Sequence, residues 1–278
     1  MMKLIVFNVE QGQCVYVRTP NDCGILIDCG RSRNGDTASP TEWLAKNEGD
    51  ELAAMIVTHP HDHHLEDIDT VMRLLPPAVL IRDADYDWEA VLSQTTGADD
   101  NIRAYHEWES NFVNPAIPDF GAEVRTFSLS RQKAEQLGGD LQHQMNNRSI
   151  VTVISYKSTE GYAWKVVIAG DNETDGWQAL LEKPEFKSAI KETDFFVTSR
   201  HGKESGFCAE LFKAMGKPMA NITSTRVGDQ RVDPRYKKSA QGVKFPDGSR
   251  THFETRDDGN ITIQMNDDGR YDVWLFQP

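Results

Sequence analysis

Apolar and polar positions alternate in short runs along the first thirty residues of the chain. Residues 3–9, 13–18 and 25–28 each read as a strand, separated by Gln11-Gly12 and by Pro20-Asn21-Asp22-Cys23-Gly24 as turns. Three strands joined so briefly predict an antiparallel meander. The period then changes. Ser39 stands as an N-cap with Pro40 behind it and Glu42 three residues on, followed by apolar positions and Gly49, so a helix is expected over 40–48. Residues 52–57 form an unbroken apolar run, as a buried strand does. Ile68, Val71, Met72 and Leu75 then recur at helical spacing until Pro76-Pro77 stops them, before a strand over 78–81. Strand alternating with helix predicts layered α/β structure.

Residues 83–118 carry acidic and aromatic side chains, among them Tyr86, Trp88, Tyr105, His106, Trp108 and Phe112, with little strand signal. They are expected to form a mainly helical insertion that walls a pocket. Strand-like runs resume at 123–129, 149–156 and 163–169, the last two joined by a turn containing Thr159-Glu160-Gly161. A helix is expected over 173–182 and a strand over 194–198. From about residue 226 the chain turns polar, and strand signal returns only at 261–265 and 271–276. No internal repeat interrupts this series, and the 278 residues are read as one domain.

Composition narrows the class. With 38% hydrophobic and 26% charged residues the chain is globular in type, and no apolar stretch approaches the roughly 20 residues that a membrane-spanning helix needs. The start, Met1-Met2-Lys3-Leu4, runs into a strand rather than a leader, so a cytoplasmic protein without a membrane partner is expected. Cys14, Cys23, Cys29 and Cys208 show no C-x-x-C spacing and are expected as buried reduced thiols. A formal net charge of −13 argues against a wide nucleic-acid footprint, since nonspecific binding rests on Lys and Arg neutralising phosphates. It leaves room for a small phosphate ligand, because a bound divalent cation dominates its local field.

The chemistry concentrates in Thr58-His59-Pro60-His61-Asp62-His63-His64, which holds half of the eight histidines and begins where the apolar run 52–57 ends. Imidazoles at these offsets in an irregular turn can converge on one point, and neutral histidine nitrogen is a favoured ligand of zinc. Spacing alone offers two to four ligands. Two further strand tips carry Gly170-Asp171 and Ser199-Arg200-His201-Gly202. Alone, Asp171 would read as an ordinary turn aspartate and His201 as a capping residue; their order after the histidine loop is what joins them to it.

A histidine loop, a Gly-Asp tip and a His-Gly tip, each behind an apolar strand, resemble the metallo-β-lactamase superfamily and its H-x-H-x-D-H signature. The closer resemblance is to the metallo-β-lactamase domain of bacterial competence proteins of the ComEC/Rec2 type. It is carried by Gln11-Gly12-Gln13, Ile27-Asp28-Cys29-Gly30, Thr58 to His64, Asn146-Asn147-Arg148-Ser149, Gly170-Asp171, Arg200-His201-Gly202 and Thr255-Arg256-Asp257-Asp258-Gly259. The resemblance implies a four-layer αββα sandwich. It also implies that His59 and His61 hold a first metal, that His64 and His201 with His63 or Asp62 hold a second, and that Asp171 bridges them. Its remaining first-metal ligand would fall on His143 or Asn147, and Asp28, with Asn147, would support the ligands from behind. The implied cofactor is one or two Zn2+ ions, with manganese or iron as alternatives. Asp62, His63, His64 and Asp171 would carry the chemistry, with His63 or His64 as proton donor if only one metal is held. Arg200, Lys203 and Ser205 flank His201 and would bind a phosphate oxygen.

Departures from the pattern matter. His63 stands where the pattern has aspartate, Glu66-Asp67 replaces Gly-Gly, and Arg200 replaces the first His of His-His-Gly; Gln13 and Glu10 also differ and read as structural. The implied activity is a metal-dependent phosphodiesterase or nuclease, acting on nucleic acid or a small nucleotide through metal-activated water. Two alternatives stand beside it: a hydrolase of a lactam, lactone or thioester, and a catalytically degenerate metal-binding subunit that acts through a protein partner.

Overall fold

The computed structural model describes residues 1–32, 39–49, 51–94, 100–226, 228, 231–245 and 248–276. Two sheets lie face to face with helices outside each. The first has the order β15-β14-β1-β2-β3-β4-β5, formed by β1 (Met2–Val6), β2 (Val15–Arg18), β3 (Gly24–Ile27), β4 (Leu52–Ile56), β5 (Pro77–Ile81), β14 (Asn260–Met265) and β15 (Tyr271–Phe276). The second has the order β13-β10-β9-β8-β7-β6, formed by β6 (Glu123–Phe127), β7 (Val151–Lys157), β8 (Ala163–Ile168), β9 (Phe195–Val197), β10 (Ala220–Thr223) and β13 (His252–Glu254). A separate hairpin pairs β11 (Val243–Phe245) with β12 (Gly248–Arg250).

Connection length sets strand direction. β1, β2 and β3 follow one another through turns and pair antiparallel, as expected from the opening alternation. β3, β4 and β5 are separated by α1 (Pro40–Asn47) and α2 (Ile68–Leu74), and pair parallel. The Ser39 side chain accepts the Glu42 amide, so the cap read from the sequence opens α1.

The period-two alternation sends neighbouring residues into different cores. Val6, Ile27, Ile56, Ile154 and Phe195 fill the space between the sheets. Ile5, Leu26 and Met55, one position away, face outward and pack on Leu44, Ile68 and Val71 of α1 and α2 and on residues of α3 (Trp88–Ser93) and α4 (Asp100–Ser110). On the second sheet Val153, Val167 and Phe196 face outward against Trp177 and Leu180 of α7 (Thr174–Leu180), Phe186 of α8 (Pro184–Ile190) and Leu211 of α9 (Ala209–Met215). The layers therefore run helix, sheet, sheet, helix: a four-layer αββα sandwich. Strands covered on both faces are apolar throughout, which explains runs such as 52–57.

Several boundaries differ from the expected ones. The first two strands stop short of the turn between them because residues 7–14 leave the ladder, with Glu10 in the left-handed region at φ 61°. The strand expected from 149 begins at Val151, and Asn147 instead closes helix α6 (Leu141–Asn147), which follows α5 (Arg131–Leu137). Helices α5, α6, α8 and α9 have seven residues each, too few for a periodicity to stand out. The same holds for α10 (Pro234–Lys238) and α11 (Thr255–Asp258). Within 83–118 lie α3 and α4, with Trp88 stacked on His106 at 4.1 Å; residues 95–99 of that segment fall outside the described residues. Among the described residues no helix is long and apolar enough to cross a membrane.

Candidate metal centre

The site lies where β3, β4, β8 and β9 end. Residues after β4 cannot continue the ladder, and the chain is caught at once: the Thr58 amide donates to Asp28 Oδ1 at 2.7 Å and its hydroxyl to Oδ2 at 2.7 Å. Residues 62–64 then make one tight 3-10 turn, closed by the His64 amide on the His61 carbonyl at 2.9 Å. The outgoing backbone is fixed by the Cys29 amide on the His64 carbonyl at 2.8 Å. Gly12 and Gly30 permit this approach, since a Cβ on either would stand 2.4 or 2.6 Å from the His63 carbonyl oxygen.

Asp28 is fully buried, in the left-handed region at φ 57°, and accepts four hydrogen bonds. Besides Thr58, its partners are Gln13 Nε2 at 2.9 Å and His64 Nδ1 at 2.6 Å. A carboxylate on Nδ1 places the proton there and leaves the Nε2 lone pair facing the cluster. His59 is held likewise, its Nδ1 between the Thr58 hydroxyl at 3.0 Å and the Ser149 hydroxyl at 3.1 Å. Ser149 Oγ in turn accepts the Asp171 amide at 2.9 Å, which ties the histidine loop to the tip of β8.

Around Asp171 two groups of donors meet, each with ligand atoms within 4.8 Å of one another: His63, His64, His201 and Asp171, and His59, His61 and Asp171. From Asp171, His201 Nε2 lies at 3.5 Å, His64 Nε2 at 3.7 Å and His63 Nε2 at 3.8 Å. His59 Nε2 and His61 Nδ1 are 2.7 Å apart, a separation that requires a proton or a cation between them. His201 reaches the cluster because Arg200 and His201 both adopt φ 53° in a kinked turn. Such non-glycine conformations cost about 1–3 kcal/mol each and cluster at functional sites.

The donors fit a divalent cation. The Nε2 atoms of His61, His64 and His201 are buried and lack a hydrogen-bond partner among the described residues, and all three belong to the donor groups around Asp171, where a cation would supply the partner that buried polar atoms ordinarily find. Burial pushes the pKa of His59 and His201 well below the usual histidine value and that of His61 to about 3, which leaves neutral imidazoles with lone pairs to share. His63 is lowered too, again by burial first. For His64 burial is outweighed by Asp28, and the shift is upward. Burial works against a charge on Asp171, but the facing imidazoles, His201 foremost, outweigh it and hold the carboxyl well below its usual range. Five imidazoles and one carboxylate suit zinc or a similar ion.

Other expected residues are placed elsewhere. Asp62 does not shift in as a ligand: its Oδ1 accepts Asn101 Nδ2 of α4 at 3.1 Å, because the 3-10 turn points His63 and His64, not Asp62, at the cluster. His143 is not a ligand candidate in this geometry; its Nε2 pairs with Asp175 Oδ2 at 2.9 Å. Asn147 gives Nδ2 to Asp175 at 3.0 Å, with His143 Nε2 also at 3.0 Å, and accepts the Glu173 amide at 2.9 Å, so it fixes the entry to α7 and not a histidine of the cluster. Both changes follow from the turn of helix before Ser149. Arg200 Nη1 lies 3.3 Å from Asp171 Oδ2, and its Nε 3.6 Å from Glu173. The Ser205 carbonyl accepts the Thr174 hydroxyl at 3.0 Å, and Lys203 places its charge near His63 and His201. Ser149, Thr58 and Gln13 also support the site, although the sequence marks none of them as a site residue; the Asn-Asn-x-Ser stretch is the signal for Ser149.

No protein-family model and no curated protein matches the chain. Among solved structures it is similar to the metallo-beta-lactamase fold protein YhfI from Bacillus subtilis, at 14% identity over 91% of this chain and 96% of that one, TM-score 0.48. It is similar also to a diphosphatase from the PhnP family, at 12% identity over 96% and 98%, TM-score 0.49. An isothiocyanate hydrolase from Delia radicum gut bacteria aligns at 15% identity over 81% and 85%, TM-score 0.45.

Proposed function

We propose that this chain is a metal-dependent hydrolase of the metallo-β-lactamase type that cleaves a phosphodiester in a small nucleotide. The observation that carries the reading is the convergence of five imidazoles, four of them buried, on Asp171. His63, His64 and His201 with Asp171 would hold one divalent cation, and His59 and His61 with Asp171 a second. A cation there supplies Lewis-acid polarisation and activated water.

The chain's own residues set the rest. Asp28 fixes the tautomer of His64, and the Thr58 and Ser149 hydroxyls fix the orientation of His59. With histidine at position 63, the donor set contains a single carboxylate, so any divalent cation leaves the ligand set itself positive, with Asp28 behind it and Arg200 beside it. A positive site favours an anionic phosphodiester over a neutral lactam or lactone. Arg200 stands at its rim with a planar guanidinium suited to paired phosphoryl oxygens, and Lys203 adds charge. We read the whole chain as one domain, with 83–118 as the insertion that walls the site.

One contact favours a second reading, a non-catalytic binding subunit: the Arg200 guanidinium on Asp171 is itself a cation at the shared carboxylate. Metal analysis of protein purified without chelator, with a phosphodiester panel run on the wild type and His61→Ala, separates the two. Bound metal with turnover of bis(4-nitrophenyl) phosphate, both reduced in the variant, is expected. A full metal complement with no turnover on any phosphodiester overturns the phosphodiesterase.

A further inference from the structure

Two clefts flank the cluster and share His63 as a wall. The first, of about 190 Å3, lies between the histidine loop and helices α3, α4 and α6; the second, of about 170 Å3, lies against the turn at 9–12. Pockets that take whole drug-sized ligands measure roughly 300–1,000 Å3. Each cleft therefore takes one group of a ligand that straddles His63.

The linings differ in kind. Val91, Ile102 and Met145 give the first cleft buried apolar walls, and Gln94 and Gln142 add two primary carboxamides, with no Lys or Arg in the lining. Each carboxamide offers both donor and acceptor atoms. The thioether of Met145 suits the face or edge of a ring. A neutral, flat group with donors and acceptors along one edge meets all of these features, and glutamine reads base edges in this bidentate manner. The second cleft holds Arg31 and Arg226, each opposed by acid: Arg226 Nε lies 3.8 Å from Glu10, and Arg31 Nη1 lies 3.6 Å from Asp67 Oδ1. Its lining carries two guanidinium groups, where that of the first carries none and has Asp62 as its one carboxylate.

We propose that the cleft bounded by Val91, Ile102, Met145, Gln94 and Gln142 is a nucleobase subsite, so that one base lodges there and the phosphate lies at His63. This rests on the phosphodiesterase reading and narrows it to small nucleotides: the cleft has room for a single ring system, and the net charge of −13 opposes a long strand.

Titration calorimetry of the metal-loaded protein with the four nucleoside monophosphates and with ribose 5-phosphate tests it. At least one nucleotide should bind about tenfold or more tighter than the abasic sugar phosphate, the low end of what a bidentate amide contact contributes. That ratio should fall toward one in Gln142→Ala, an exposed position, and in Met145→Ala, with thermal melting to confirm that each variant is folded. Equal binding of nucleotide and sugar phosphate by the wild type overturns the subsite, as does a ratio unchanged in both variants. Turnover of bis(4-nitrophenyl) phosphate is measured alongside: hydrolysis with no base preference removes the subsite and leaves the hydrolase, whereas base preference without hydrolysis does the reverse.

Discussion

Asp28→Asn is the sharpest perturbation of the site, because it removes one charge and keeps the shape. Asparagine tolerates the left-handed conformation at φ 57°, so the backbone need not move. Oδ1 can still accept the Thr58 amide. The amide nitrogen that replaces Oδ2 then faces the Thr58 hydroxyl, Gln13 Nε2 and His64 Nδ1, all of which donate to the carboxylate in the native protein. The hydroxyl can rotate and the glutamine amide can flip. His64 can respond only by moving its proton to Nε2, the atom facing Asp171, and a protonated nitrogen holds no metal. The lost charge-assisted bond contributes about 1.5–3 kcal/mol. Loss of such supporting partners lowers metal affinity about 10–100-fold, or about 1.4–2.7 kcal/mol, a range that agrees with the bond itself. Competition against a chromophoric chelator measures the affinity. If Asp28→Asn folds and binds zinc as tightly as the wild type, the tautomer argument fails.

Gly12→Ala should lose about 1–3 kcal/mol of stability, the usual cost of overpacking, since its Cβ would meet the His63 carbonyl at 2.4 Å; a wild-type denaturation midpoint would refute the close approach. For metal-free protein, burial holds His61 and His252 to a pKa of about 3 against an ordinary value of 6.5. The unfolded chain then binds more protons between those values, and the melting temperature should fall as pH drops through that window; a flat profile would contradict it. Asp194 has the opposite sign: burial raises its pKa from 3.8 to about 6, so its contribution declines as pH rises between them. Asp194→Asn retains an acceptor for the Lys165 amide and should melt higher than wild type at pH 8 but not at pH 4, and a lower melting temperature at pH 8 would count against it.

Much of this molecule is readable from local pattern. Strand alternation predicts the two-faced strands because Val6 and Ile5, or Ile154 and Val153, must enter different cores. The histidine loop, Asp171 and His201 are legible because each follows an apolar run that ends abruptly. His143 misleads, since offset along the chain does not tell whether Asn147 opens a strand or closes a helix. Asp62 misleads for a related reason: a single 3-10 turn selects which of three adjacent side chains face the metal-binding cluster. The Asp171 contact of Arg200 depends on two consecutive left-handed residues, for which sequence carries no signal when neither is glycine. The clefts beside His63 are assembled from segments far apart in sequence, so no local pattern announces them.

The central claim, that the imidazoles and Asp171 surround a cation, is tested most directly by X-ray absorption at the metal edge of protein purified without chelator. A metal-edge signal with several imidazole ligands plus oxygen at about 2.0–2.2 Å is expected, lost on His64→Ala and His201→Ala. Folded wild-type protein that carries no divalent metal and takes up none from excess zinc, or a metal whose ligands include no imidazole, would contradict it.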